Sequence, residues 1–326
     1  MQPDPRARPR RRLSLLPLAL ALAACGTAAG TATCGGEAPA AQGSERSFDA
    51  QRAWALLAEQ VALGPRPAGS EAAEATRALI ERELRAAGLE PVREPFTATT
   101  PAGEVAMCNV WAEVPAREGA ARAPVVELGS HFDTKRLPDF VGANDGASST
   151  AVLLELARAL AAHPSESVTY RVVFFDGEEA VREYWADPDN RYGSRHRVAR
   201  LKASGELARV KAFVLLDLVG DRDLVLTRDE YSGRELQDLF AKAARSIGLG
   251  AHMAGARMPV KDDHQSYLEA GVESLDLIDF DYGPDNAWWH SAEDTLDKCA
   301  PESLDVVGRI VLAALPALER WVLARV

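Results

Sequence analysis

The chain has 326 residues, of which 47% are hydrophobic and 26% charged, and a net charge of −11. That length can bury a large core, and the composition is globular rather than disordered or fibrous. The acidic balance argues against nucleic acid as a partner, since phosphate binding needs a basic face.

Positive charge gathers at the start, in Arg6, Arg8, Arg10, Arg11 and Arg12, ahead of an apolar stretch over 13–24 that is too short to span a bilayer. Residues 1–25 read as a signal peptide, and its end, Leu22-Ala23-Ala24-Cys25, resembles a bacterial lipobox in which the cysteine is lipidated. The expectation is an exported, cell-envelope lipoprotein, periplasmic or tethered at the outer membrane, that meets a membrane only through its lipid anchor. Removing residues 1–24 leaves 32 basic and 47 acidic residues, a balance of −15. Residues 26–46 are rich in Ala, Gly, Thr and Ser and predict a flexible tether, with the folded domain over 47–326. Cys108 and Cys299 lie in that domain and are either a disulfide or two buried thiols.

Ser47 is placed to cap a helix bearing Phe48, Trp54, Leu57 and Val61 on its apolar face, and Gly64-Pro65-Arg66-Pro67 ends it. Ser70 caps a second helix that stops at Gly88. Strands follow over 91–98 and 105–114, with a turn over 99–103. Short apolar strands over 125–132, 168–175, 210–216 and 272–278 then alternate with helices over 147–162, 193–203 and 233–247. A last helix covers 301–324. Alternation of this kind predicts a single three-layer α/β domain, a mostly parallel, mixed twisted sheet with helices on both faces.

In such sheets, sites gather at the carboxyl ends of the strands. The sequence puts polar residues there repeatedly. The 125–132 strand leads to His131 and Asp133, and the loop Val141-Gly142-Ala143-Asn144-Asp145-Gly146 precedes a helix. The apolar run Val172-Val173-Phe174-Phe175 stops at Asp176-Gly177-Glu178-Glu179, the 210–216 strand meets Asp217, and His290 follows the last strand. Carboxylates this close in one cavity would repel one another without a cation. Adjacent glutamates can divide labour, one ligating and the other carrying protons. Histidine, aspartate and glutamate without cysteine suit an open catalytic zinc site. The expected ligands are Asp145, Glu179 and His290. His131 and Asp217 offer a second site with Asp145 bridging, and Asp133 is placed to orient His131. Arg195, His196 and Arg197 are expected as surface charge.

Together, His131-x-Asp133, Gly142-Ala-Asn-Asp145, Asp176-Gly-Glu178-Glu179, Leu216-Asp217, Asp263-His264 and His290-Ser-x-x-Asp294-Thr-Leu resemble the zinc aminopeptidase superfamily. Phe174-Phe-Asp-Gly-Glu-Glu-Ala180, Trp185, Tyr192-Gly-Ser-Arg-His196, Asp262-Asp263-His264 and Trp289 before His290 are similar to its glutaminyl cyclase branch. The resemblance runs from about Phe48 to the C-terminus. It implies one zinc per chain on Asp145, Glu179 and His290, and Glu178 as a proton shuttle with Asp217 and Asp262 in its acidic network. It implies Trp185 and Trp289 shaping the pocket, and His264 as a pocket or network residue. The substrate would be peptide or protein N-termini, with N-terminal glutamine converted to pyroglutamate. Lys261 departs from the pattern, standing where cyclases often carry a substrate-binding glutamine. The alternative is an aminopeptidase using two zinc ions.

Overall fold

The structure is a computed structural model that describes residues 46–326. The expected signal peptide, the lipobox cysteine Cys25 and the tether up to residue 45 lie outside the described residues. Arg46, placed by sequence at the tether's end, is packed: its Nε donates to the His163 carbonyl at 2.8 Å and it pairs with Glu319. Among the described residues no helix is long and apolar enough to cross a membrane.

Helix α1 (Ala50–Ala62) is capped by Asp49, whose Oδ1 accepts the N–H groups of Gln51 and Arg52. Ser47 was the expected cap. The chain turns later because Phe48 is used for packing, its ring lying where a Cβ on Gly308 would have to be. In α2 (Glu71–Ala86) the cap is Ser70 as predicted, and Gly88 follows the helix at φ +79°, a left-handed conformation that favours glycine. Strands β1 (Val92–Thr100) and β2 (Gly103–Val114) form an antiparallel hairpin. Its turn is tighter than expected, because Thr100 Oγ1 accepts the Ala102 N–H and donates to the Gly103 carbonyl.

The parallel part then unfolds in order: β3 (Val125–His131), α3 (Ser149–Ala162), β4 (Thr169–Phe175), α4 (Tyr192–Ser204) and β5 (Val210–Asp217). A two-residue ladder, β6 (Arg228–Asp229) with β7 (Arg257–Met258), brackets α5 (Arg234–Ser246). A short α6 (His264–Glu269), β8 (Glu273–Ile278) and the long α7 (Pro301–Leu323) complete the domain. The six-stranded sheet runs β1-β2-β4-β3-β5-β8, parallel from β4 to β8.

Side chains alternate across a strand, so each strand feeds two cores. Val172 and Phe174 of β4 and Val214 and Leu216 of β5 pack with α1, α2, α3 and α7. Val173, Phe175, Phe213 and Leu215 pack on the other face with Val198 and Leu201 of α4 and Tyr267 of α6. That second face also buries Arg197, which pairs with Glu94 at 3.1 Å and Glu127 at 2.7 Å. Arg197 is therefore a core ion-pair residue and not the surface charge expected. Cys108 and Cys299 are both buried free thiols. Leaving β3, the chain crosses by α3 to β4 on one side. It then crosses by α4 to β5 on the other, so the loops part above the end of β3 and open a crevice.

Candidate active site and metal centre

His131 ends β3 and Asp217 ends β5, and both are buried. Asp145 is carried by an irregular turn before α3, where Gly146 adopts φ +91°. A Cβ on Gly146 would sit 3.0 Å from the Asp133 carbonyl and 3.1 Å from the His131 ring, so glycine is what lets this loop close on the strand end. Beneath the loop, the buried Arg66 guanidinium donates to the carbonyls of Phe132, Val141 and Gly142. Asp294 fixes the loop from the other side, its carboxylate accepting the N–H groups of Asn144 at 2.8 Å and Asp145 at 3.1 Å and the Tyr282 hydroxyl at 2.8 Å.

After β4 the three acidic residues part. Asp176 turns away from the crevice, accepting from Arg77 at 2.7 Å and from the Cys108 N–H at 2.8 Å. Paired with Arg77, it joins neither set of converging ligand atoms, contrary to the clustering expected from sequence. Asp133 accepts the backbone N–H groups of Glu178 (3.0 Å) and Glu179 (3.3 Å), so it sets the turn that presents both glutamates. Its Oδ1 also lies 3.6 Å from His131 Nδ1, facing the imidazole it was expected to orient, at a distance longer than a hydrogen bond.

Two sets of three side chains converge. The ligand atoms of Asp145, Glu179 and His290 all lie within 4.8 Å of one another, as do those of His131, Asp145 and Asp217. His290 Nε2 is 3.4 Å from Asp145 Oδ2 and 3.2 Å from Glu179 Oε1. The first set passes a chemical test for a divalent cation: Asp145 Oδ2 and both Glu179 oxygens are buried without a hydrogen-bond donor. Such orphaned carboxylate oxygens are costly unless a cation answers them. The donor set of two carboxylates and one imidazole is that of an open zinc site. His290 is held at φ +50° with Trp289 stacked on its ring at 3.9 Å and Phe140 against its edge.

Charge in this cluster is unevenly shared. Burial opposes protonation of His290, yet Glu179 and Asp145 outweigh it and raise the imidazole to about 9. Burial also resists ionisation of Asp145, but the neighbouring His131 and His290 imidazoles, 3.2 Å and 3.4 Å away, prevail and lower it. Glu179 sees only one of these imidazoles, and burial keeps it raised. Glu178 is raised well above the usual carboxyl range, first by burial and then by Asp262 and Glu179. Asp262 is raised likewise by burial, Asp217 and Asp263, and Asp217 by burial against the pull of His131. These carboxyls therefore hold protons where isolated acids would not.

A cavity of about 320 Å³ opens above the cluster, lined by Glu178, Asp217, Asp262, Trp185 and Trp289, with Lys261 at its rim. Trp185 does more than form a wall, because its Nε1 donates to Glu178 Oε1 at 3.0 Å. His264 does not line the pocket. It begins α6 fully buried, with Nε2 3.2 Å from Asp229 and Nδ1 3.5 Å from Asp276. Arg66, Asp294, Asp276 and the buried Lys135, whose Nζ is 3.7 Å from Glu179 Oε2, were not assigned from sequence. Asp294 alone had a signal, its fixed spacing after His290.

Residues 109–315 match the model of peptidase family M28. The glutaminyl-peptide cyclotransferase-like protein of Mus musculus is 33% identical over 299 residues, covering 82% of this chain and 76% of that one. The crystal structure of Acidobacteriales bacterium glutaminyl cyclase superposes with a TM-score of 0.81 at 36% identity, covering 87% of this chain and 99% of its own. Porphyromonas gingivalis glutaminyl cyclase gives a TM-score of 0.76 at 25% identity over 83% of this chain and 99% of its own. With the strand-end constellation and these matches in agreement, the chain belongs to peptidase family M28.

Proposed function

We propose that this protein is a zinc-dependent glutaminyl cyclase, which converts the N-terminal glutamine of peptides to pyroglutamate with release of ammonia. The observation that carries the reading is the buried Glu178 carboxyl. It lines the pocket beside the Asp145, Glu179 and His290 triad, belongs to neither metal-ligand set, and is oriented by the Trp185 Nε1 hydrogen bond. The naming of the relatives in sequence and structure supports the same reaction.

Asp145, Glu179 and His290 would hold one zinc ion per chain. Bound there, the ion supplies Lewis-acid polarisation of the glutamine side-chain carbonyl. The substrate's own α-amine is the nucleophile. The bond from its nitrogen to the side-chain carbonyl carbon forms as the bond from that carbon to the amide nitrogen breaks, closing a five-membered ring without consuming water. Glu178 accepts a proton from the attacking amine and passes it to the departing nitrogen, a role worth about 10²- to 10⁴-fold. Asp262 and Asp217 would keep a proton shared within the cluster around Glu178. Trp289 and Phe280 pack edge to face at 5.1 Å and form an apolar part of the pocket's lining.

The two-zinc aminopeptidase would also load His131, Asp145 and Asp217. The orphaned oxygens favour the first triad alone: Asp217 Oδ1 already accepts from the Leu218 N–H at 2.8 Å and lies 3.1 Å from His131 Nε2. The arginine-rich start and Cys25 support the further reading that the enzyme is exported and lipid-tethered. Purified protein given a glutaminyl dipeptide and a leucyl chromogenic amide should release ammonia from the first and bind close to one zinc per chain. Amine from the second alone would overturn the cyclase reading.

A further inference from the structure

The pocket's lining is acidic at its floor and holds, among the described residues, one lysine and no arginine. That lysine, Lys261, is exposed between two buried residues, Val260 and Asp262. Both neighbours are anchored: the Val260 N–H donates to Asp229 Oδ1 at 2.9 Å, and Asp262 Oδ1 accepts the Asp263 N–H. The backbone under Lys261 is thus fixed, while its side chain forms no hydrogen bond or ion pair among the described residues. Its electrostatic neighbour is Asp187. Asp187 already serves Arg191 at 2.9 Å and pairs with Arg195, and Arg191 also meets Glu269 at 3.3 Å. Two acids and two arginines cancel in that group, so no acid there is left over to pair with Lys261 at the rim.

A substrate whose α-amine and side-chain amide reach Glu178 and the metal triad must lead its second residue out past this rim. There it meets Lys261, Pro259 and the half-exposed Tyr231. We infer that Lys261 is a specificity-determining residue that selects an acidic side chain immediately after the N-terminal glutamine. The inference rests on the cyclase reading and deepens it, naming acidic glutaminyl peptides as the substrate class. The rest of the surface is net negative and gives such peptides no general attraction, so the preference must be local.

The test compares kcat/KM for amidated glutaminyl-glutamate, glutaminyl-alanine and glutaminyl-lysine by ammonia release, at low salt and near 0.5 M salt. An exposed ion pair of this kind corresponds to a preference of up to about fivefold for glutamate over alanine, with lysine below both. High salt should compress the spread, as screening shortens the reach of the charge. Lys261→Gln should remove the order and Lys261→Glu should reverse it. Equal values for the three peptides in the wild type, or an order that survives in Lys261→Glu, would overturn the inference while leaving the cyclase reading intact. No ammonia from any of the three would overturn the cyclase reading itself and this inference with it.

Discussion

Replacing Asp294 by asparagine tests whether the loop carrying Asp145 is held in place for metal binding. The Asp294 carboxylate has no solvent exposure and accepts two backbone N–H groups and the Tyr282 hydroxyl. Burial, and then the neighbouring Asp145, push this carboxyl up to about 7, so the comparison belongs at pH 8, where it is ionised. An asparagine has one acceptor oxygen, and its amide would face a donor with a donor. One lost charge-assisted hydrogen bond at ~1.5–3 kcal/mol and one orphaned N–H at ~1–3 kcal/mol sum to roughly 2.5–6 kcal/mol. For a domain of this size that lowers Tm by roughly 5–12 °C. The same loss should weaken zinc binding by about 10- to 100-fold, the usual effect of removing a group that fixes a ligand. Tyr282→Phe, which removes a single donor, should show a smaller version of both. Zinc affinity is read by competition with a chelator, and stability by thermal melting. A protein that melts early yet binds zinc with wild-type affinity would refute the claim that Asp294 positions Asp145.

Trp185→Phe keeps the aromatic wall but removes the hydrogen bond to Glu178 Oε1, and should lower kcat by about tenfold with zinc content unchanged. A wild-type kcat would show that Trp185 is only a wall. His290→Ala leaves Asp145 and Glu179 facing each other without their third partner and should lose zinc on dialysis, measured by metal analysis. Because His290 is held up to about 9, a cation must displace a proton from it at neutral pH. Raising pH removes that proton and strengthens binding, so apparent zinc affinity should rise by about tenfold per unit between pH 6 and 8. A flat profile would contradict the assignment of His290 as a ligand.

The sheet was legible because its strands are short apolar runs that end abruptly in polar residues, and strand ends in parallel sheets point one way. That logic placed His131, Glu178, Glu179 and Asp217 along one edge, and the loops brought Asp145 and His290 to it. What the sequence hid were partners supplied from elsewhere in the chain. Asp176 reads as part of the acidic cluster until Arg77, on α2, is seen to claim it. Arg66 reads as a turn residue, although its guanidinium holds the Gly142 carbonyl from 76 positions away. Arg197 looks like a surface cation, and Lys135 carries no signal at all, because local composition cannot show that a buried carboxylate awaits either of them. The helix cap moved from Ser47 to Asp49 for a similar reason, since Phe48 is committed to Gly308 of the last helix. His264 sits in a matching motif, yet its neighbours Asp229 and Asp276 keep it beneath the pocket.

In the proposed mechanism Glu178 moves the proton while Asp145, Glu179 and His290 hold the ion. Its most direct test is the rate of ammonia release from a glutaminyl dipeptide by Glu178→Gln protein shown to carry its zinc. A fall in kcat of at least about 100-fold is predicted, with zinc stoichiometry equal to wild type. Turnover near the wild-type rate from that zinc-loaded variant would contradict the mechanism.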